Sequence, residues 1–392
     1  MRDVVIVSAA RTAIGRAPKG AFRSTRPDEL AAVVVKSVLD RAPGIDPVTV
    51  DDIILGCAMP EAEQGMNVAR VAALRAGLPD SVPAATINRF CASGLEAIAT
   101  GAAKIATGHA DVVVAGGVES MSLVTFMGPS TRPNPWLIAN RPDTYLSMGL
   151  SVESISDEFD ISRESADAFA LESHRKALAA QDAGRFDAEI VPVTTETQVV
   201  NGEHAQIRRA EVAVDEGPRR ETSAEALAKL RPAFLKDGVI TAGNASQRSD
   251  GAAAVALMTP ENAERLGLTP LARFAGYSVA AVAPERFGIA PAFAMPRLLK
   301  RMGLTIDQFD LIEFNEAFAA QVLASDRLFP LPLDRVNVNG GACALGHPLG
   351  CTGARQAVSM VFEAKRRGAK RGLITMCAAL GMGAAGVLEF AY

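Results

Sequence analysis

The sequence predicts an α/β fold of two related halves, the first interrupted by an insertion. Three observations predict it. Short β-branched runs alternate with Ala-rich helical stretches, one helix–strand pattern occurs twice, and the middle of the chain turns polar. Alternation of this kind places helices on the faces of a sheet. A repeated pattern has to be sought before any fold is assigned.

Residues 4–7, 52–55, 111–115, 310–314, 336–338 and 373–376 read as strands. Residues 28–41, 94–107, 316–326 and 353–367 read as helices. The repeat starts at Cys91-Ala92-Ser93-Gly94, continues through a helix to Gly108 and a strand at 111–115, and ends at Gly116-Gly117. Its counterpart is Gly350-Cys351-Thr352-Gly353, a helix to Gly368, a strand at 373–376, then Cys377. The spacings are close: 116 − 94 = 22 and 377 − 353 = 24. A second pair sets 50–56 against 308–314.

From about 120 to 240 the pattern changes. A Pro-rich stretch at 129–142 precedes a polar helical run at 162–181 and a polar, strand-like passage at 189–214. This reads as an insertion over the two-half core, and such segments often carry substrate contacts. The expected division is 1–119 with 242–268 as the first half, 120–241 as the inserted loop domain, and 269–392 as the second half.

The 392 residues suffice for two or three domains, and 49% of them are apolar. The formal net charge is −4, and the one basic block, Lys365, Arg366, Arg367, Lys370 and Arg371, sits where cations suit a helix end. Nothing here calls for nucleic acid or a membrane surface as partner. No apolar run reaches the roughly 20 residues that span a bilayer. Five cysteines, an odd number with no C-x-x-C, point to reduced thiols. With a strand beginning at residue 4 and no leader before it, the expected location is cytoplasmic.

Four residues could carry chemistry. Cys91 lies just before a helix, where the dipole and unpaired N–H groups favour thiolate and lower the pKa. Ser93 and Glu96 have the spacing of a capping box at that helix start. A buried structural cysteine is the commoner fate of a lone thiol, so both readings stand at this point. His347 lies in a glycine-rich stretch, Gly340 to Gly353, that lets backbone approach a ligand closely, and a neutral imidazole is the natural base for a thiol. His109, His174 and His204 occupy ordinary polar or helical contexts. Cys377 ends an apolar strand and is followed by a turn that offers N–H groups. Asn315 sits between a strand and a helix, where it can cap the helix or hold a water or an oxyanion.

Two tempting motifs fail in context. Cys343, His347 and Cys351 have i, i+4, i+8 spacing, but Gly346, Pro348 and Gly350 break the helix that would align them on a metal. Gly381-x-Gly383-x-x-Gly386 matches the dinucleotide fingerprint as a string, without the following helix that must hold a pyrophosphate.

Taken together, these segments resemble the thiolase family from end to end. The most specific are Asn88-Arg89-Phe90-Cys91-Ala92-Ser93-Gly94, Asn315-Glu316-Ala317-Phe318-Ala319, and Gly346 to Arg355; Gly116 to Met121, Ile161 to Arg163 and Thr241 to Ser246 support them. The resemblance implies a layered α-β-α-β-α fold of two repeated halves with an inserted loop domain. It implies that Cys91 carries an acyl group, that His347 activates it, and that Cys377 is the general acid/base. Asn315 would hold a water that forms one oxyanion hole with His347, and N–H groups near Cys91 and Ala379 would form the other. Coenzyme A would be a co-substrate, with no permanently bound cofactor and no metal. Arg219 would lie near its adenine and phosphate end and Ser246 beside the pantetheine. Met148, Phe234, Ala317 and Phe318 would line the pantetheine tunnel. A homodimer or homotetramer is implied.

Two departures bear on specificity. The family's glycine-rich turn after the second cysteine is here Ala379-Leu380. An alanine still supplies the N–H if its φ is negative, and Leu380 can narrow the site. Ser147 stands where short-chain biosynthetic members often have His. Both this and the motifs around Cys91 and Gly350 favour a broad-chain 3-ketoacyl-CoA enzyme over an acetoacetyl-CoA-specific one. A ketoacyl synthase is disfavoured by the second cysteine, Cys377. An inactive acyl-CoA-binding relative is disfavoured by retention of Cys91, His347 and Cys377.

Overall fold

The computed structural model describes residues 1–201 and 204–390. Ten strands form one sheet. Across it the order is Leu311–Phe314, Arg371–Ala378, Met382–Glu389, Ala272–Ala281, Val5–Arg11, Ser249–Met258, Val112–Ser120, Asp52–Gly56 and Ala84–Ile87, with the short Gly15–Arg16 beside Ser249–Met258.

The repeat is explicit in the pairing. The seam between halves is Val5–Arg11 against Ala272–Ala281, joined through Val5↔Arg273 and Ile6↔Ala272. Outward from it, the first half pairs antiparallel, antiparallel, parallel, parallel. The second half does the same, its last parallel partner being the bridge Ile312↔Val336.

Helices Ser93–Ala106 and Leu349–Arg367 pack on each other and on strands of both halves. Pro27–Asp40 and Val68–Arg75 cover the far face of the first half, and Pro291–Met302 that of the second. The result is five layers. Strands Val112–Ser120 and Ser249–Met258 are buried at every residue because both faces are covered. The two central helices cross closely, and the glycines of the sequence repeat permit it. A Cβ on Gly94 would lie 2.8 Å from the Ala354 nitrogen, and one on Gly353 would lie 2.6 Å from the Leu95 nitrogen.

The insertion supplies helices Met148–Glu158 and Arg163–Asp182 and the hairpin Val193–Asn201 with His204–Val212. Ser162 caps the second helix, its Oγ accepting from the Ser165 N–H at 3.2 Å. A buried ion cluster pins the insertion down: Arg11 meets Glu189 at 2.6 Å and Asp215 at 2.7 Å. Glu189 also accepts from Ser359 of the second half at 2.9 Å.

Several sequence expectations are corrected. Residues 336–338 make a single bridge, not a strand. The helix expected at 316–326 is Ala319–Leu328, with Phe318 at its N-cap position, so Asn315 does not cap it. The helix expected from 353 starts at Leu349, because Pro348 directly before it has the fixed φ suited to a helix entrance. Strands Ser249–Met258 and Met382–Glu389 escaped the pattern because small residues, not β-branched ones, fill positions pressed between layers, while Ala272–Ala281 is mostly half-buried and mixes Ala and Gly with Arg273, Phe274 and Tyr277.

Candidate active site

Cys91 lies in the short turn Phe90–Ala92 at the start of Ser93–Ala106 and is 2% exposed. The turn is tied from both sides. Asn88 Oδ1 accepts from the Phe90 N–H at 2.7 Å, while Ser93 Oγ accepts from the Arg89 N–H at 2.8 Å and donates to the Phe90 carbonyl at 2.6 Å. The expected Ser93–Glu96 capping box does not form: Ser93 is spent on this turn, and Glu96 pairs with Arg89 and accepts from the Tyr277 hydroxyl.

The backbone N–H groups of Cys91 and Ala379 favour the Cys91 thiolate. Burial, and then the Glu119 carboxylate, outweigh them and push the thiol up to about 12. The expected low-pKa thiolate is therefore corrected. A fully enclosed charge loses more solvation than a helix start and two N–H groups return.

His347 is buried, and its ring is oriented at Nδ1, which lies 2.6 Å from Thr352 Oγ1. The Thr352 hydroxyl donates to the Pro348 carbonyl at 3.0 Å, so it accepts from the imidazole. The proton then sits on Nδ1 and the lone pair on Nε2, which faces the Asn315 amide nitrogen at 3.3 Å. Burial, with Arg355 assisting, lowers His347 to about 3 and keeps it neutral. The backbone here is crowded: Gly346 has φ 98°, and a Cβ on it would lie 2.2 Å from Ser249 Oγ.

Cys377 lies near the end of Arg371–Ala378 and is fully buried. Burial, then the adjacent Cys91, raise its thiol well above the usual range. Asn315 follows Leu311–Phe314, and its N–H donates to the Thr375 carbonyl at 2.9 Å. Its Oδ1 is buried and has no hydrogen-bond partner among the described residues.

The chain at 244–248 runs beside these groups. Ala245 bridges to Phe318, the Ser246 N–H donates to Ala317 at 2.9 Å, and Arg248 bridges to His347. Phe318 meets Phe234 edge to face, with ring centroids 6.4 Å apart. Phe234 lies on Gly149, next to Met148. Met148, Ala317, Phe318 and Cys377 share one apolar cluster. Arg219 and Ser246 line a groove of about 400 Å³ together with Arg16, Lys19 and Arg248. Arg219 also borders a cavity of about 510 Å³ with His174 and Cys343.

Sequence reasoning missed Arg16, Lys19 and Arg248, which come from separate segments with no shared local pattern. Thr352 and Glu119 were inside recognised segments but drew no role; the acid in an apolar strand was the available signal for Glu119. His109 is exposed, with Nδ1 2.8 Å from Thr107 Oγ1. His174 is buried and its Nδ1 accepts from the Arg219 N–H at 3.2 Å. The side chain of His204 lies outside the described residues. Cys343 directs its sulfur to the Asn244 and Glu316 carbonyls, each at 3.8 Å. Among the described residues, no group of three His, Cys, Asp or Glu is placed to hold a metal ion.

Comparison with known proteins adds the following. Residues 4–261 match the family description "Thiolase, N-terminal domain", and 268–390 match "Thiolase, C-terminal domain". A relative from Bacillus subtilis, described as 3-ketoacyl-CoA thiolase, is 50% identical over 390 residues, 99% of this chain and 100% of that one. A solved Bacillus anthracis acetyl-CoA acetyltransferase superposes with TM-score 0.90 at 42% identity, over 100% of this chain and 99% of that one. A human mitochondrial 3-ketoacyl-CoA thiolase superposes with TM-score 0.89 at 36% identity, over 100% and 99%.

Proposed function

The chain belongs to the thiolase family, and on that premise we propose how its residues perform the family's reaction. It is an acyltransferase that cleaves 3-ketoacyl-CoA with CoA, giving acetyl-CoA and a shortened acyl-CoA, or runs the reverse condensation. We assign Cys91 as nucleophile, His347 as its base, Cys377 as acid/base, and Asn315 as the holder of a water.

The observation that carries the assignment is that the Phe90–Ala92 turn bearing Cys91 packs against strand Arg371–Ala378, which bears Cys377, and against helix Leu349–Arg367, which follows His347. The steps balance. The Cys91 sulfur attacks the C3 ketone and passes its proton to Nε2 of His347. The C2–C3 bond breaks, and its electron pair leaves as the enolate of acetyl-CoA, which takes the Cys377 proton. The acyl group stays on Cys91 as a thioester. CoA then attacks that thioester, giving its thiol proton to the Cys377 thiolate, and His347 returns its proton to departing Cys91.

A neutral thiol beside a neutral imidazole fits this order. The charges appear only as substrate arrives, where fixed donors stabilise an oxyanion by several kcal/mol, of the order of 3 per donor. The unpaired Oδ1 of Asn315 is the group that would bind the water, which with His347 faces the enolate oxygen. The tetrahedral oxyanion on Cys91 would meet the N–H groups of Cys91 and Ala379.

CoA would lie along 245–248. Arg219, with Arg16, Lys19 and Arg248, gives a cationic groove suited to phosphates, and Ser246 lies in the same groove. Met148, Phe234, Ala317 and Phe318 would hold the apolar part of the pantetheine. We favour broad-chain 3-ketoacyl-CoA substrates. Ser147 supports this: its Oγ accepts from the Leu150 N–H at 3.3 Å and caps helix Met148–Glu158, so a short cap stands where a histidine would reach toward the substrate.

We read 1–119 with 242–268 as one half, 120–241 as the inserted loop domain and 269–392 as the other half. We also infer a homodimer or homotetramer; the half-exposed outer strand Ala84–Ile87 offers a sheet edge that no strand among the described residues pairs. A cytoplasmic location is our reading as well. No helix among the described residues is long and apolar enough to cross a membrane.

The test is thiolysis with acetoacetyl-CoA and with 3-ketohexadecanoyl-CoA, plus CoA, following loss of ketoacyl absorbance. Loss with both, and higher kcat/KM for the longer chain, is expected. Loss with acetoacetyl-CoA alone assigns the short-chain activity instead, and no loss with any chain length overturns the reading.

A further inference from the structure

Glu119 lies in strand Val112–Ser120, is 1% exposed, and has no part in the steps above. Its Oε2 accepts from two backbone N–H groups, Ala58 at 2.8 Å and Gly350 at 2.8 Å. Its Oε1 accepts from the Met59 N–H at 3.2 Å and the Gln64 side-chain amide at 2.7 Å, and the Cys57 thiol lies 3.8 Å away. All these partners are donors that favour an ionised carboxylate, against burial, which raises the carboxyl above its ordinary range.

From Ala58 a short path leads to the nucleophile. The Ala58 carbonyl accepts from Asn88 Nδ2 at 3.0 Å, Asn88 Oδ1 holds the Phe90 N–H, and the Cys57 N–H donates to the Ile87 carbonyl at 3.0 Å. From Gly350, in the first turn of Leu349–Arg367, an equally short path leads to the base, three residues earlier in the chain. The contact is tight, since a Cβ on Gly350 would lie 2.7 Å from Cys57 Cα and 2.9 Å from Glu119 Oε2.

We propose that Glu119 is a positioning residue that sets the separation of Cys91 from His347, by holding on one carboxylate oxygen Ala58, which is bonded to Asn88 of the nucleophile turn, and Gly350, in the helix that follows the base. This rests on the roles proposed above for Cys91 and His347. Glu119 touches neither substrate nor reacting atoms. Its second effect is electrostatic. The titratable groups that feel it are Cys57, Cys91 and Cys351, each raised first by burial and further by this charge.

The experiment compares full-length wild type, Glu119→Gln and Glu119→Asp. It reads kcat, KM for CoA, folded fraction by circular dichroism, and the pH midpoint of Cys91 alkylation by iodoacetamide, followed on the Cys91 peptide by mass spectrometry. Glu119→Gln is expected to lower kcat at least about tenfold with KM for CoA within about twofold. Its alkylation midpoint should move to lower pH, because a negative charge is gone. Glu119→Asp keeps the charge but is too short to hold both loops, so kcat falls while the midpoint stays. If Glu119→Gln does not fold, Glu119→Asp decides through kcat at constant KM. An undiminished kcat, or a loss that only tracks the folded fraction, overturns the inference. A wild type inert in thiolysis overturns instead the reaction on which the inference rests.

Discussion

The imidazole Nδ1 of His347 lies 2.6 Å from the hydroxyl of Thr352, one turn into the helix that follows. With the Thr352 hydroxyl donating to the Pro348 carbonyl, that contact puts the proton on Nδ1 and leaves Nε2 as the base. Thr352→Val keeps the shape and removes the acceptor. The expected result is a kcat lower by roughly 10- to 100-fold with KM for CoA little changed, as for loss of other groups that orient a catalytic histidine. Thr352→Ser should recover most of it. Steady-state thiolysis checks both.

Cys377 supplies the proton in the carbanion step, and its thiolate takes the CoA thiol proton in the acyl-transfer step. Cys377→Ala should therefore abolish thiolysis of 3-ketoacyl-CoA but only slow exchange of label between acetyl-CoA and CoA, which forms no carbanion. Cys91→Ala should lose both. Equal loss of exchange in the Cys377 variant would remove Cys377 from its assigned role.

His174 is lowered to about 4 by burial and then by Arg219. An unfolded histidine titrates near 6.5, so below that pH the unfolded chain binds the proton first. Its neutral form in the fold therefore costs stability progressively as pH falls from about 6.5 to about 4. Wild type should lose more Tm between pH 7 and pH 5 than His174→Gln. Parallel losses in thermal melts would contradict this.

Arg11 is fully buried between Glu189 and Asp215, whose charges help hold it protonated against burial. Arg11→Met leaves two enclosed carboxylates facing each other. A loss of about 3–5 kcal/mol is expected in urea unfolding, the scale for breaking a buried pair from one side. The insertion should loosen first, read as faster proteolysis within 183–216.

Leu380 has φ 61°, in the left-handed region, and is 42% exposed. Leu380→Gly removes steric strain of about 1–2 kcal/mol and adds unfolded-state freedom worth about 0.5–1. A net gain of about 0.5–1 kcal/mol is expected from chemical denaturation. A loss would mean that the leucine side chain makes contacts worth more than the strain.

Much of this molecule was legible in its sequence. The two-half repeat was visible because Gly94 and Gly353 are required at the helix crossing, and the same constraint acts in each half. Cys91, His347, Cys377 and Asn315 stood out because glycine and strand–helix junctions mark where backbone must turn sharply around a site. The strand Ser249–Met258 was not legible, since burial between layers selects Ala and Gly over the β-branched residues that announce a strand. Nor was the thiol's pKa. A helix start is a local signal, whereas the enclosure of Cys91 depends on residues far away in sequence, such as Ala379 and Glu119.

Of the strands in the main sheet, Met382–Glu389 comes latest in sequence, yet it lies in the interior, between Arg371–Ala378 and Ala272–Ala281. A ribosome delivers residues in order, so the second half has an unfilled slot until residue 389 has left the exit tunnel. Until then two strand edges stand open, the situation in which chains pair wrongly with one another. Open edges of this kind are an aggregation hazard, and chaperones that shield sheet edges would matter over the interval before Met382–Glu389 docks.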